Sequence, residues 1–185
     1  MSMSIEEATK VIEDRIRFKL YAAQYYLKQL KDLESKGQSP HDPRDRILWE
    51  MTSENLLFHL VGALDALLRR ITEQYHVKID TPRDFTIKKI YRKLGSKQGL
   101  IEEAYDLVDG NLYRDGSWLT ALFNLRNTGM HRAILNLGFS ANSKEVSFVG
   151  VREPIAAIPY LEKAIQQMRD LITGIVNKDT SLRIS

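Results

Sequence analysis

The strongest constraint on this chain is a helical spacing of apolar residues that continues over windows far longer than a β-strand. Between residues 4 and 36, apolar side chains recur at steps of three, four and seven, which places them on one face of a helix. These side chains are Ile5, Ile12, Ile16, Ala23, Leu27 and Leu30. Ser4, followed three residues later by Glu7, has the pattern of a capping box. The sequence therefore predicts one long helix over 4–36.

Proline and glycine residues divide the rest of the chain into further helices. A second long helix is predicted over 43–76, because Pro43 suits a first helical turn and Asp42 can cap it. A third long helix is predicted over 117–137, with Asp115 or Ser117 as its cap. The remaining helices are predicted over 82–94, 99–109 and 153–177.

Strand patterns are nearly absent from the sequence. The segment 138–151 is expected to be a polar connection, in which 146–149 is the one candidate for a brief extended piece. The predicted fold is all-α: an up-and-down bundle of three long helices with two or three shorter ones. At 185 residues the chain has the length of one domain, so we expect 1–185 to form a single helical domain.

Composition excludes several classes of protein. The apolar runs are interrupted by charges well before the ~20 residues that a bilayer-spanning helix needs, and the first residues do not resemble a secretory signal. We therefore expect a cytoplasmic protein with no membrane partner. The absence of cysteine excludes disulfides, thiolate metal sites and a cysteine nucleophile. A net charge of +3 permits contact with nucleic acid without arguing for it.

An arginine lies on the apolar face of the helix predicted over 117–137. At about 100° per residue, Arg126 falls near the middle of that apolar sector. The sector contains Trp118, Leu119, Leu122, Leu125, Met130, Ala133 and Leu137. A charge there needs an acidic partner, a path to the surface, or an anion to bind. Asn127 and His131 are four residues apart and stack on the adjacent face, with Gly129 between them.

Other charged residues are candidates for partners or for a binding surface. Glu54 and Asp65 lie on one side of the second long helix, where either could pair with Arg126, although we favour an exposed position for both. A basic stripe with Tyr91 among its members could follow a phosphate backbone. It consists of Lys88, Lys89, Arg92, Lys93 and Lys97. We favour instead a solvated face or pairing with the acidic helix that follows.

The pattern Arg126-Asn127-x-x-x-His131 resembles the signature of HEPN domains (higher eukaryotes and prokaryotes nucleotide-binding). In that family an arginine, usually followed by a polar residue, precedes a histidine by a short gap on a late helix of an all-α fold. The resemblance implies a homodimer of helical bundles in which the two motifs meet at the interface. It also implies RNA or a nucleotide as ligand. Many such domains are metal-independent endoribonucleases, often toxins with an antitoxin partner or defence effectors, whereas others only bind nucleotides or proteins.

The chemistry of these residues suits RNA cleavage without a metal or other cofactor. A histidine can move the proton of a 2′-hydroxyl, an arginine fork fits a phosphate, and an amide can hold an imidazole or a ribose. Because each motif has one histidine, a two-fold dimer would supply the second. The predicted catalytic residues are therefore Arg126, Asn127 and His131, with Glu54 and Asp65 in support. Two alternatives remain: a binding module without nuclease activity, and a helical interaction protein whose motif is coincidental.

Overall fold

The structure, a computed structural model, describes residues 4–109, 117–131, 137–140, 145–148 and 155–183. Within these ranges it describes only the backbone at residues 5, 84, 128–131, 139 and 140. The helices are α1 (Ile5–Glu13), α2 (Arg15–Ser35), α3 (Pro43–Gln74), α4 (Ile87–Lys93), α5 (Glu102–Asp109), α6 (Trp118–His131) and α7 (Ala157–Lys178). Short 3₁₀ helices cover Pro82–Asp84, Gly95–Leu100 and Thr180–Leu182. The all-α fold class is confirmed, because the chain is mostly helical and has one small sheet.

The prediction of one continuous helix over 4–36 is wrong, because the chain is interrupted at Asp14. This residue has extended backbone angles, φ −96° and ψ 106°, and its carboxylate accepts hydrogen bonds from the backbone N–H groups of Ile16 and Arg17. It thereby ends α1 and caps α2. Asp14 is only 5% exposed, and Arg70 of α3 lies 3.4 Å from its carboxylate. A tertiary ion pair thus supports the interruption. The capping box of Ser4 and Glu7 forms as expected.

Helices α2 and α3 form an antiparallel hairpin that contains much of the core. Gly37, with φ +68°, turns the chain after α2, and the side chain of Asp42 caps α3 next to Pro43 as predicted. The indole of Trp49 is fully buried and donates a 2.9 Å hydrogen bond to the Gln38 carbonyl at the closed end. The face of α3 towards the core is lined by Leu56, Leu60, Leu64, Leu67 and Ile71, all fully buried.

Helix α7 packs against both members of this hairpin. Glu162 near its beginning pairs with Lys31 near the end of α2, so α7 runs antiparallel to α2. Just beyond the end of α7, the carboxylate of Asp179 accepts a hydrogen bond from the hydroxyl of Tyr75 at the end of α3. The buried residues of α7 recur at steps of three and four: Ile158, Leu161, Ala164, Ile165, Met168, Leu171, Ile172 and Ile175. Helices α3 and α7 therefore run parallel to each other and antiparallel to α2, and α7 takes the place in the core that the sequence assigns to the helix over 117–137.

The segment between α3 and α6 is more broken than predicted. Instead of one helix over 82–94, a 3₁₀ turn precedes α4, and the Thr86 side chain caps α4 through the backbone N–H of Lys89. The acidic helix α5 begins at Glu102 after a second 3₁₀ stretch. Helices α4 and α5 are joined by stacking of Tyr91 on Tyr105, with ring centroids 4.0 Å apart.

The helix predicted over 117–137 is shorter than expected, because Leu137 begins a strand. Strands β1 (Leu137–Ser140), β2 (Glu145–Phe148) and β3 (Ile155–Ala156) form an antiparallel sheet in that order. Val146 and Phe148 are buried between less buried neighbours, which is the alternation of a strand with one face on the core. The expected extended piece is thus part of a sheet, and its last residue, Val149, lies outside the described residues. So do Asp115, Glu153 and Pro154.

No helix in the described ranges is long and apolar enough to span a bilayer.

Candidate functional site

Helix α6 is anchored at its beginning by Ser117. The hydroxyl of Ser117 donates to the Leu107 carbonyl and accepts from the backbone N–H of Thr120, so Ser117 caps α6 and joins it to α5. Leu119 and Leu122 are fully buried and Leu125 is 9% exposed, which fixes the face of α6 that meets the core. Arg126 follows on the same face. Its position therefore results from packing of the apolar side chains before it.

Arg126 is half-buried and has no ion-pair partner within 4.0 Å among the described residues. Its Nε atom is buried and lacks a hydrogen-bond acceptor. A buried guanidinium N–H without an acceptor lowers stability, because its hydration is lost and not replaced. Among the described residues no salt bridge therefore holds Arg126, and its N–H donors can bind an incoming anion.

Asp65 of α3 faces Arg126 and was one of two acids that the sequence offered as its partner. Burial raises the pKa of Asp65, while the positive charges of Arg126, Arg69 and Lys19 oppose that rise. No described residue forms a hydrogen bond or a close ion pair with its carboxylate. Asp65 thus influences Arg126 through charge, without neutralising it by direct contact.

Two cavities meet at this pair, since Asp65 and Arg126 line both. The motif cavity, about 340 Å³, lies between α3, α4, α5 and α6. Its other lining residues are Leu68, Phe85, Thr86, Ile87, Lys88, Val108, Phe123 and Asn127. The cationic cavity, about 240 Å³, lies between α2, α3 and α6. A larger cavity of about 670 Å³ beside the segment 76–82 contains none of the predicted motif residues.

The structure brings together part of the predicted catalytic set. The exposed Asn127 lines the motif cavity with Arg126. The backbone of His131 continues α6, but its side chain lies outside the described part of the chain, as do those of the three residues before it. Helical spacing alone places His131 one turn beyond Asn127.

Glu54 is not brought to the site. It precedes Asp65 by about three turns of α3, so the two acids lie roughly 16 Å apart along the helix axis. It is half-buried, and burial together with the neighbouring charge of Glu50 raises its pKa. Of the two acids predicted to support Arg126, only Asp65 lines the cavities beside it.

Much of the basic stripe is occupied by contacts within the protein. Lys88 pairs with Asp109 of α5 at 2.5 Å, and Lys93 pairs with Asp80 at 2.8 Å. The Lys97 ammonium lies 5.7 Å from the centre of the Tyr75 ring. Lys88 and Lys93 are therefore paired with acidic residues and do not form a free phosphate-binding face.

Three basic residues of the site were not singled out from the sequence: Arg15, Lys19 and Arg69. Lys19 could have been found, because it stands three residues after Ile16 and four before Ala23 on the apolar face of α2. A charge in such a position raises the same question as Arg126. Arg15 and Arg69 are exposed, so only tertiary structure reveals that they share a cavity.

No protein-family model, curated protein or solved structure matches the chain. Among the described residues, no group of three or more His, Asp or Glu side chains could hold a metal ion. The function is therefore argued from the chemistry of the site.

Proposed function

We propose that this protein is a HEPN-type, metal-independent endoribonuclease that acts as a homodimer. The observation that carries the proposal is the state of Arg126: a half-buried arginine that no acid in the described part of the chain pairs with, beside a cavity that also contains Asn127. A half-buried cation that Asp65 compensates only in part lowers stability, so its retention fits a role in binding an anion. Asn127 and His131 follow it at the spacing of the HEPN signature.

Cleavage would use the ribose 2′-hydroxyl as nucleophile. A histidine accepts the hydroxyl proton as the 2′-oxygen attacks phosphorus, and a second proton carrier protonates the departing 5′-oxygen. The products are a 2′,3′-cyclic phosphate and a 5′-hydroxyl. Arg126 stabilises the negative charge that develops on the phosphorane, and Asn127 orients the imidazole or the ribose. His131 is the proton carrier in each protomer, and two-fold pairing supplies both histidines.

An exposed apolar strip on the α2–α3 hairpin supports the homodimer. Ile47, Met51 and Phe58 recur at steps of four and seven on one face of α3 and are 58%, 56% and 43% exposed. On α2, Tyr21 and Tyr25 are also large exposed side chains, 40% and 51% exposed. Large apolar side chains exposed along one face are typical of an interaction surface. Phe58 also lines the cationic cavity beside Arg126, so the strip reaches the site.

A second candidate is a nucleotide-binding module without nuclease activity. The residues that line the motif cavity favour this second candidate. Phe85 and Phe123 offer aromatic surface to a base, and Arg126 offers N–H donors to a phosphate. Its volume of about 340 Å³ lies within the usual range for small-ligand sites. This module would bind a nucleotide and leave RNA intact.

The decisive experiment measures cleavage of a labelled single-stranded RNA by the purified protein with excess chelator present. We expect cleavage in the wild type, loss of cleavage in Arg126→Gln and His131→Ala, and retained cleavage in the control Arg169→Gln. Arg169 of α7 suits the control because it is also a half-buried arginine but lines neither cavity. Light scattering of each variant checks the dimer.

Cleavage that persists in His131→Ala, or that the chelator abolishes, would overturn the proposal. Binding of a nucleotide without cleavage of any RNA tested would establish the second candidate instead. A monomer at tens of micromolar would exclude a composite site.

A further inference from the structure

Of the side chains that the structure describes, four basic ones and one acidic one line the cationic cavity. Arg15 and Lys19 come from α2, Arg69 and Asp65 from α3, and Arg126 from α6. With all five ionised, the local charge is three units positive. Solvent screens part of this charge, because Arg15 and Arg69 are exposed, and an anion bound in the cavity of about 240 Å³ would offset the rest.

Three of these cations lie over aromatic rings, and none of the three forms a close ion pair with a carboxylate of the described residues. The Arg15 guanidinium lies 5.1 Å from the centre of the Phe18 ring, and Lys19 Nζ lies 4.1 Å from that of Phe58. The Arg69 guanidinium lies 4.6 Å from the centre of the Phe85 ring. A ring face attracts a cation without using its N–H donors. The donors of these side chains therefore remain available to a ligand.

Lys19 is the most constrained of the four. It is only 7% exposed, and no carboxylate of the described residues forms an ion pair with it. Burial, followed by the charge of Arg15, lowers its pKa, so its charged form is held at a cost that an anion would offset. Gly62 leaves room for it, because a Cβ there would lie 3.3 Å from Lys19 Nζ. A glycine in the middle of α3 lowers helix stability by about 1 kcal/mol, which is consistent with a need for that space.

We infer that the cationic cavity, which shares Arg126 and Asp65 with the motif cavity, is a second binding site that takes a single phosphate group. The guanidinium forks of Arg15, Arg69 and Arg126 match the oxygens of a phosphate, and the Lys19 ammonium adds a point charge. The cavity is smaller than sites that enclose a whole drug-sized ligand, so the rest of a larger ligand lies outside it. The site stands whether or not the motif cavity cleaves RNA.

The test is calorimetric titration of the full chain at low ionic strength with three probes. Inorganic phosphate reports on the group alone and adenosine monophosphate on a free nucleotide. A short single-stranded DNA reports on a backbone phosphate, and it has no 2′-hydroxyl to be cleaved. Tightest binding of the monophosphate assigns the site to nucleotides, and tightest binding of the DNA assigns it to a nucleic-acid strand.

Lys19→Met should weaken binding of each probe that binds by about tenfold or more, because a charge-assisted contact is lost. Lys28→Met is the matched control: it lies on the same helix, is exposed and lines neither cavity, so binding should be unchanged. Asp65→Asn should strengthen binding, since it removes the single carboxylate from the cavity. If Lys19→Met does not fold, the exposed Arg15→Gln replaces it with the same expected loss.

Absence of binding for all three probes would overturn the inference. So would equal affinities in the Lys19→Met and Lys28→Met proteins. Because binding is read without cleavage, failure here is distinguishable from failure of the proposed nuclease. A binding-competent protein that cleaves nothing would retain this site and lose only the proposed activity.

Discussion

Replacing Arg126 by methionine separates an arginine kept for function from one kept for stability. Methionine preserves the unbranched stem, so loss of packing should stay below about 1 kcal/mol. It removes the buried Nε–H that has no acceptor, and such a group costs about 1–3 kcal/mol. Asp65 loses a neighbouring positive charge, which offsets part of that gain. We therefore expect the free energy of unfolding to lie between unchanged and about 2 kcal/mol higher.

The pKa of Asp65 determines how the stability difference between Arg126→Met and the wild type changes with pH. Burial already raises its pKa in the folded state above the usual value of 3.8, and removal of Arg126 raises it further. A group whose pKa is raised on folding stabilises the protein in acid, and that contribution disappears as pH rises through the folded pKa. The advantage of Arg126→Met over the wild type should thus increase as pH falls below neutrality.

Urea denaturation at neutral pH and at about pH 5 measures both effects, with Arg169→Met as the control at a half-buried arginine outside the site. RNA cleavage should be absent from Arg126→Met even though the protein is fully folded. A loss of about 3–5 kcal/mol would refute the reasoning, because that is the signature of a broken buried ion pair.

Three further predictions concern buried polar groups. Asp14→Ala should lower the free energy of unfolding by about 2–3 kcal/mol in urea denaturation, because α2 loses its cap and Arg70 loses its partner. Asp14→Asn should lower it less, and equal losses in the two variants would contradict the role of the charge. Tyr160→Phe should raise stability by about 1 kcal/mol, because the buried Tyr160 hydroxyl has no hydrogen-bond partner within the described ranges and burial raises its pKa to about 12. A loss of stability would show that the hydroxyl has a partner after all. Burial and the charges of Lys19 and Arg15 lower the pKa of His59 below its usual value of 6.5. The stability of the wild type should therefore fall as pH drops below 6.5, where the unfolded chain binds this proton more readily than the folded protein does. His59→Phe should weaken this fall between about pH 8 and about pH 5, and an unchanged fall would exclude His59 as its source.

Features set by neighbouring residues could be predicted from the sequence. Asp42 and Pro43 begin α3 where the capping pattern indicates, and Ser117 caps α6. Both signals act over a single turn, so tertiary structure does not change them.

The interruption at Asp14 could not be predicted in this way. The Asp14 carboxylate is joined to Arg70, 56 residues later, and Arg70 also donates to the Leu182 carbonyl, a further 112 residues along the chain. The apolar spacing of 5–30 is continuous across the interruption, so periodicity gives no sign of it. The strand that begins at Leu137 could not be predicted for the same reason. Leu137 continues a helical pattern in the sequence, but its partner is Phe148 in the sheet.

The candidate site was predictable where a charge interrupts an apolar pattern. Arg126 met that criterion, and Asp65 was one of the two acids proposed near it. Lys19 meets the same criterion. Arg69 does not, because its exposed position on α3 carries no sign that the Phe85 ring and the cationic cavity lie beside it.

The lengths of chain between contacts set an order for folding. Helices α2 and α3 meet across one short loop, so their contacts close with little loss of chain entropy. The hydrogen bond from Tyr75 to Asp179 spans 104 residues and must wait for a much longer loop to close. The hairpin should therefore condense first and act as the folding nucleus, with docking of α7 as a later event. Its amide protons should also be the last to exchange with deuterium, because opening α7 leaves the hairpin closed.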